Sequence, residues 1–196
     1  MNQNRTMHPI STIIKHTSTI VACILITFPS NAAEYEIEPV GSYILFDITH
    51  FKVGTAHGRF NDFKGTVTYD PNSPEKSKLN FTIKAASVDT GHKKRDDHLR
   101  NKDFFDVVQF PEIQFKSQSV DKGKITGQLT MLGKTKSITA TYKVNGIGQH
   151  FGNKRPLLGA VATFSINRSD FGMKFGLPDA LSDRVNIKVS IEGLGK

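Results

Sequence analysis

The residues best equipped for chemistry crowd one short segment. His92, Asp96, Asp97 and His98 place two imidazoles and two carboxylates close together, the groups that hold a metal ion or pass a proton. Their spacing matches no standard zinc or calcium motif. Asp96, His98 and a serine would be parts for a hydrolase, but no Gly-x-Ser-x-Gly elbow, Gly-rich phosphate loop or two-histidine helix motif accompanies them. The only cysteine, Cys23, precedes the globular part of the chain. The reading is of no catalytic residue, no metal and no cofactor: a protein that works by non-covalent binding.

Two further polar residues draw attention by position. His50 continues the alternation of Ile44, Phe46 and Ile48, and Arg168 continues that of Phe164 and Ile166, each where its strand ends. They are candidates for polar contacts to a bound molecule where the strands end. The alternative is that His50 caps a loop and Arg168 pairs with an acid such as Asp170, since most ordered polar side chains at strand ends serve structure.

These positions depend on strands, and period two recurs along the chain. Ile44, Phe46 and Ile48 face one way, as do Leu79, Phe81, Ile83 and Ala85, then Ile113 and Phe115, then Ile125, Gly127, Leu129 and Met131. Ile138, Ala140, Tyr142 and Val144 follow, then Ala160, Ala162, Phe164 and Ile166, and finally Val185, Ile187, Val189 and Ile191. Polar residues fill most of the alternate positions. With Gly58 to Asp70 as a further strand and turn signals at Asp121–Lys124 and Gly133–Thr135, the chain is all-β, with about eight antiparallel strands.

Only His92 to Asp103 reads as helical, with Asp96 set to meet Arg100 at i,i+4. One short helix cannot cover eight apolar strand faces, so the sheet must close or form a sandwich. Closure into an eight-stranded antiparallel barrel with one short helix is the expectation. Such a barrel either fills with side chains or holds one small ligand, and Ala85, Gly127, Ala140, Ala160 and Ala162 at inward parity point to unfilled volume. The helical segment would act as a lid, turning Leu99, Phe104 and Phe105 towards the apolar interior.

Residues 1–32 read as a cleavable export signal: Arg5 and Lys15 without an acid, an apolar run from Ile20 to Phe28, then Pro29 and small residues up to Ala32. A membrane anchor is the weaker alternative, because Lys15 and His16 interrupt the apolar stretch and a spanning helix needs about 20 apolar residues. Ile20-Val21-Ala22-Cys23 only loosely resembles a lipoprotein box. Loss of Arg5 and Lys15 takes the formal charge from +8 to +6 over a single domain at residues 33–196, with no cysteine. Its lysines are spread through alternating strands as a solvated face, so nucleic acid is not expected as a partner. An extracellular module binding anionic surfaces is the alternative this charge leaves open.

Several segments together resemble the YceI-like family, and the resemblance covers nearly all of residues 34 to 194. It is carried by Phe46-Asp47-Ile48-Thr49-His50, Gly58-Arg59-Phe60-Asn61-Asp62-Phe63-Lys64-Gly65, Ser87-Val88-Asp89-Thr90-Gly91 with Arg95-Asp96-Asp97-His98-Leu99-Arg100, Asp103-Phe104-Phe105-Asp106, Phe110-Pro111-Glu112-Ile113-Gln114-Phe115, and the run Thr126 to Lys136. The resemblance implies a lipocalin-like barrel in the periplasm that binds a polyisoprenoid or an isoprenoid quinone, to carry, store or protect it. Transient membrane contact goes with that role, and association into a homodimer stays open. A rival within the enzyme class is a hydrolase acting on the bound lipid.

Apolar burial is worth about 0.8 kcal/mol per CH₂ against roughly 4 to 15 kcal/mol for association, so an apolar bore favours long chains. Measured against a bilayer the gain nearly cancels, which allows exchange. The expected wall is Phe46, Ile48, Phe81, Ile83, Phe115, Leu129, Met131, Tyr142, Ala162, Phe164, Ile166, Ile187 and Val189, with Leu99, Phe104 and Phe105 as lid and His50 and Arg168 at the mouth.

Overall fold

Half-buried strands carry backbone donors and acceptors on both edges, and a sheet satisfies them all only by closing. The computed structural model describes residues 32–121 and 123–196, and in it the sheet does close. Among the described residues the strands are β1 (Ala33–His50), β2 (Gly54–Phe60), β3 (Phe63–Tyr69), β4 (Lys78–Lys84), β5 (Val88–Asp89), β6 (Glu112–Asp121), β7 (Lys124–Met131), β8 (Lys134–Gln149), β9 (Pro156–Asn167) and β10 (Leu181–Gly195), with one α-helix, α1 (Lys93–Arg100). The export segment expected over residues 1–32 lies, save for Ala32, outside the described residues.

The order β10-β9-β8-β7-β6-β4-β3-β1 returns to β10, with every neighbouring pair antiparallel. This is a closed eight-stranded barrel. β2 extends the line of β3 along β1, pairing Ile44 with Phe60 while β3 pairs Glu36 with Thr66. The strand expected from Gly58 to Asp70 is therefore broken at Asn61-Asp62, where the chain turns from one strand to the next. β5 adds a short pairing to β2.

Two irregularities change which residues face inwards. The stretch from Glu38 to Tyr43 of β1 spans only Glu192 to Ser190 of β10. The surplus residues reverse the parity, so Tyr35 and Ile37 point inwards below the bulge and Ile44 above it. Ser42 holds the bulge: its hydroxyl accepts from the Glu192 N–H at 2.8 Å and donates to the Glu192 carbonyl at 3.3 Å. A bulge in β6 between Ser117 and Ser119 likewise brings Val120 inwards. Ala85, expected to end the inward row of β4, begins a 3-10 turn instead. Its N–H reaches the Pro111 carbonyl at 2.9 Å, and Pro111 has no N–H to return, so the ladder stops.

The bore stays open because three phenylalanines lie along the wall. A Cβ at Gly58 would collide with the ring of Phe46, one at Gly65 would stand 2.9 Å from Phe81 Cδ1, and one at Gly127 would stand 2.5 Å from Phe115 Cζ. Each ring beds on the glycine of an adjacent strand instead of crossing the lumen. Gly127 thus makes room for a ring and not, as its inward parity suggested, for ligand.

Arg168 clasps the upper end. The residue is 1% exposed; Nε donates to the Ser182 carbonyl at 2.9 Å, Nη1 to that of Met173 at 3.2 Å and Nη2 to that of Leu181 at 3.3 Å. The nearby carboxylate is Asp183, not Asp170. Burial pushes the Asp183 carboxyl up, but the hydroxyl and N–H of Ser169 and the charge of Arg168 outweigh it and hold the group below the ordinary range.

Two expectations test these devices. Gly127→Val should lower stability by about 1–3 kcal/mol through overpacking against Phe115 and the Lys116 carbonyl, seen as a lower urea midpoint at unchanged slope. Arg168→Met should cost about 3 kcal/mol or more by orphaning buried carbonyls, measured the same way.

Candidate functional site

Inside the ring lies a cavity of about 480 Å³. Its wall is built from the inward rows: Ile44, Phe46 and Ile48 of β1, Leu79, Phe81 and Ile83 of β4, Ile113 and Phe115 of β6, and Ile125, Leu129 and Met131 of β7. β8 gives Ile138, Ala140, Tyr142 and Val144; β9 gives Ala160, Ala162, Phe164 and Ile166; β10 gives Val185, Ile187, Val189 and Ile191. Ala140, Ala160 and Ala162 leave space at the wall, whereas Ala85 is buried away from it. The geometry is that of a pocket of ordinary ligand size, roughly 300–1,000 Å³, lined mainly by apolar groups.

The upper end is covered by α1 and the loop after it. Leu99, Phe104 and Phe105 all line the cavity. Phe105 meets Phe60 edge-on at 5.5 Å, Phe60 meets Phe46 at 5.6 Å, and Phe104 meets Phe175 at 5.3 Å. His50 lines the same end but is exposed, its ring 4.2 Å from Phe51. Arg168 lines the cavity as well, with its guanidinium turned into the carbonyl clasp.

Residues from outside the strand rows complete this mouth. His57, Thr90, Arg95, His98 and Phe175 line it, and period two does not reveal them because most come from the helix and loops. His57 projects from β2, whose start lay before the strand expected at Gly58. The edge of the mouth is apolar and exposed: Phe51 is 59% and Val53 92% exposed. Phe51 and Lys52 both adopt left-handed backbone angles, φ 48° and 61°, conformations uncommon for residues other than glycine and asparagine. The tight turn therefore holds an exposed aromatic beside a lysine at the entrance.

The acidic and histidine cluster noted in the sequence is used locally. His92 caps α1, its Nδ1 accepting from the Arg95 N–H at 3.3 Å. Asp96 is buried and accepts from the N–H and hydroxyl of Thr90 at 2.9 and 2.5 Å. Its expected partner Arg100 instead meets Asp97 at 3.1 Å and the carbonyls of Ala86 and Val88 at 2.8 Å. Lys93, at 2.6 Å, and then Arg100 hold the Asp97 carboxyl below its ordinary range. His98 Nε2 lies 3.0 Å from Asp103, with its ring edge-on to Phe104 and Phe175. The four groups face separate partners and do not converge on one point.

Known proteins share this architecture. The chain is 38% identical over 183 residues to Protein YceI of Salmonella newport, covering 90% of this chain and 94% of that protein. The crystal structure of Burkholderia cenocepacia BcnA superposes with a TM-score of 0.71 at 25% identity, over 80% of this chain and 98% of that one. The Campylobacter jejuni YCEI protein gives 0.65 at 26% identity, over 93% and 99%. A polyisoprenoid binding domain from Saccharophagus degradans shares the fold at a TM-score of 0.63 and 14% identity, over 85% and 100%. The YceI-like domain matches residues 35–193, and with that span and these relatives the chain belongs to the YceI-like family.

Proposed function

We propose that the protein is an exported carrier of a long isoprenoid-like lipid, a polyprenyl chain or an isoprenoid quinone, held without covalent chemistry in the barrel. The observation that carries this reading is the apolar cavity, about 480 Å³, closed around by side chains of all the barrel strands. Family membership supports it, as does the isoprenoid ligand named for the Saccharophagus degradans domain of the same fold. A hydrocarbon is what such a bore can select, since each CH₂ moved from water adds about 0.8 kcal/mol.

Residues 1–32 direct the chain to the periplasm and are removed. There the ligand passes between bilayer and barrel through the mouth, where Phe51, Val53 and Phe175 are exposed beside Lys52 and Lys174. Aromatic groups with neighbouring lysines suit brief contact with a membrane interface. Leu99, Phe104 and Phe105 shield the chain once it is inside.

Protein purified from the periplasm should release a prenyl lipid in near-stoichiometric amount on denaturation and solvent extraction, read by mass spectrometry. Ala162→Trp, which fills the bore, should lose most of it; equal lipid from both proteins would overturn the reading. In a vesicle-exchange assay with a fluorescent prenyl lipid, Leu99→Asp should change the exchange rate several-fold. An unchanged rate would remove the lid.

A further inference from the structure

The lower end of the barrel holds a polar residue that the fold does not use. Ser77, the residue before β4, lines the cavity, is 8% exposed, and its Oγ has no hydrogen-bond partner among the described residues. A buried hydroxyl left unpaired costs about 1–3 kcal/mol, and native structures rarely keep one without a reason. Ser77 precedes Lys78, which pairs with Thr68 of β3, so it sits in register with Tyr69. Tyr69 also lines the cavity, as does Tyr142 of β8.

β3 and β8 are not neighbours in the barrel ring, yet Tyr69 and Tyr142 face the same cavity. Burial, then Tyr69, then Asp121 push the Tyr142 phenol above its ordinary range. The Tyr142 hydroxyl therefore stays protonated and able to donate at any physiological pH. No lysine or arginine lines this end of the cavity among the described residues; Arg95 and Arg168 belong to the mouth. An anionic head group would find no counter-charge there.

We propose that this floor is a polar subsite in which Ser77, Tyr69 and Tyr142 receive a neutral hydrogen-bonding oxygen, a hydroxyl or carbonyl, at the innermost end of the apolar ligand. The inference rests on the carrier reading and adds the direction of entry: the oxygen-bearing end goes in first and the hydrocarbon follows towards the mouth. A purely hydrocarbon ligand would leave Ser77 unpaired, so the site distinguishes ligands that differ in one oxygen.

Competition in native mass spectrometry between geranylgeraniol and the corresponding hydrocarbon lacking its hydroxyl tests the subsite on the delipidated chain. The wild-type protein should favour the alcohol by about tenfold, the scale of one net hydrogen bond. Ser77→Ala and Tyr142→Phe should each shrink that ratio, and together bring it near one, with uptake of the hydrocarbon unchanged. Ser77→Ala should also leave the empty protein as stable as before or more so, because it removes an unpaired group; this holds even if the double variant folds poorly. A ratio of one in the wild type, or a preference that Ser77→Ala leaves undiminished, overturns the subsite: water then fills the floor or the mouth reads the oxygen. Failure of the wild type to take up either probe overturns the carrier reading, and the subsite with it.

Discussion

Everything in this protein depends on keeping an apolar lumen open against its own tendency to collapse. Side chains around an unfilled apolar space forgo dispersion contacts, and a protein interior normally packs to crystal-like density. What resists is the backbone: β1 meets β10 along most of its length, and a ring without edges cannot flatten without breaking its ladder. The phenylalanines then decide how much of the enclosed space remains. Phe46, Phe81 and Phe115 lie against Gly58, Gly65 and Gly127, so three of the bulky wall residues line the bore without crossing it.

The two ends of the ring solve different problems. Above, Arg168 spends its guanidinium on the carbonyls of Met173, Leu181 and Ser182, fixing the loop that carries Phe175 over the mouth. Such a residue shapes the entrance through backbone it immobilises. Below, Tyr35 and Leu158 are almost fully buried and close the barrel, and Ser77, Tyr69 and Tyr142 give that closed end its polarity. Apolar wall, covered mouth and polar floor follow one axis.

The helix shows how chemically capable residues can be absorbed by structure. His92 caps it, Asp96 ties it to Thr90, Asp97 holds Lys93 and Arg100, and His98 bridges to Asp103. These contacts anchor a short helix that could not hold its shape alone. Anchored in this way, it presents Leu99 and the following phenylalanines to the lumen.

Alternation alone determined the class of fold and most of the wall, because side chains on a strand have only two directions and burial on one face selects between them. Phe46, Leu129, Ala162 and Val189 are legible in this sense, and the combined motifs carry the resemblance to the YceI-like family. Parity cannot count residues lost to a bulge, so Tyr35, Ile37 and Val120 waited for the register of β1 with β10 and β6 with β7. Nor can it say what a small inward residue is for: Ala162 opens space, whereas Gly127 yields it to a ring from the next strand. Arg168 read as either a head-group contact or a structural pairing until the carbonyls of Met173, Leu181 and Ser182 met its guanidinium. The floor was hidden for the same reason. Ser77 lies in a turn and Tyr69 and Tyr142 on strands that never pair, and only closure of the sheet brings them to one end of the lumen.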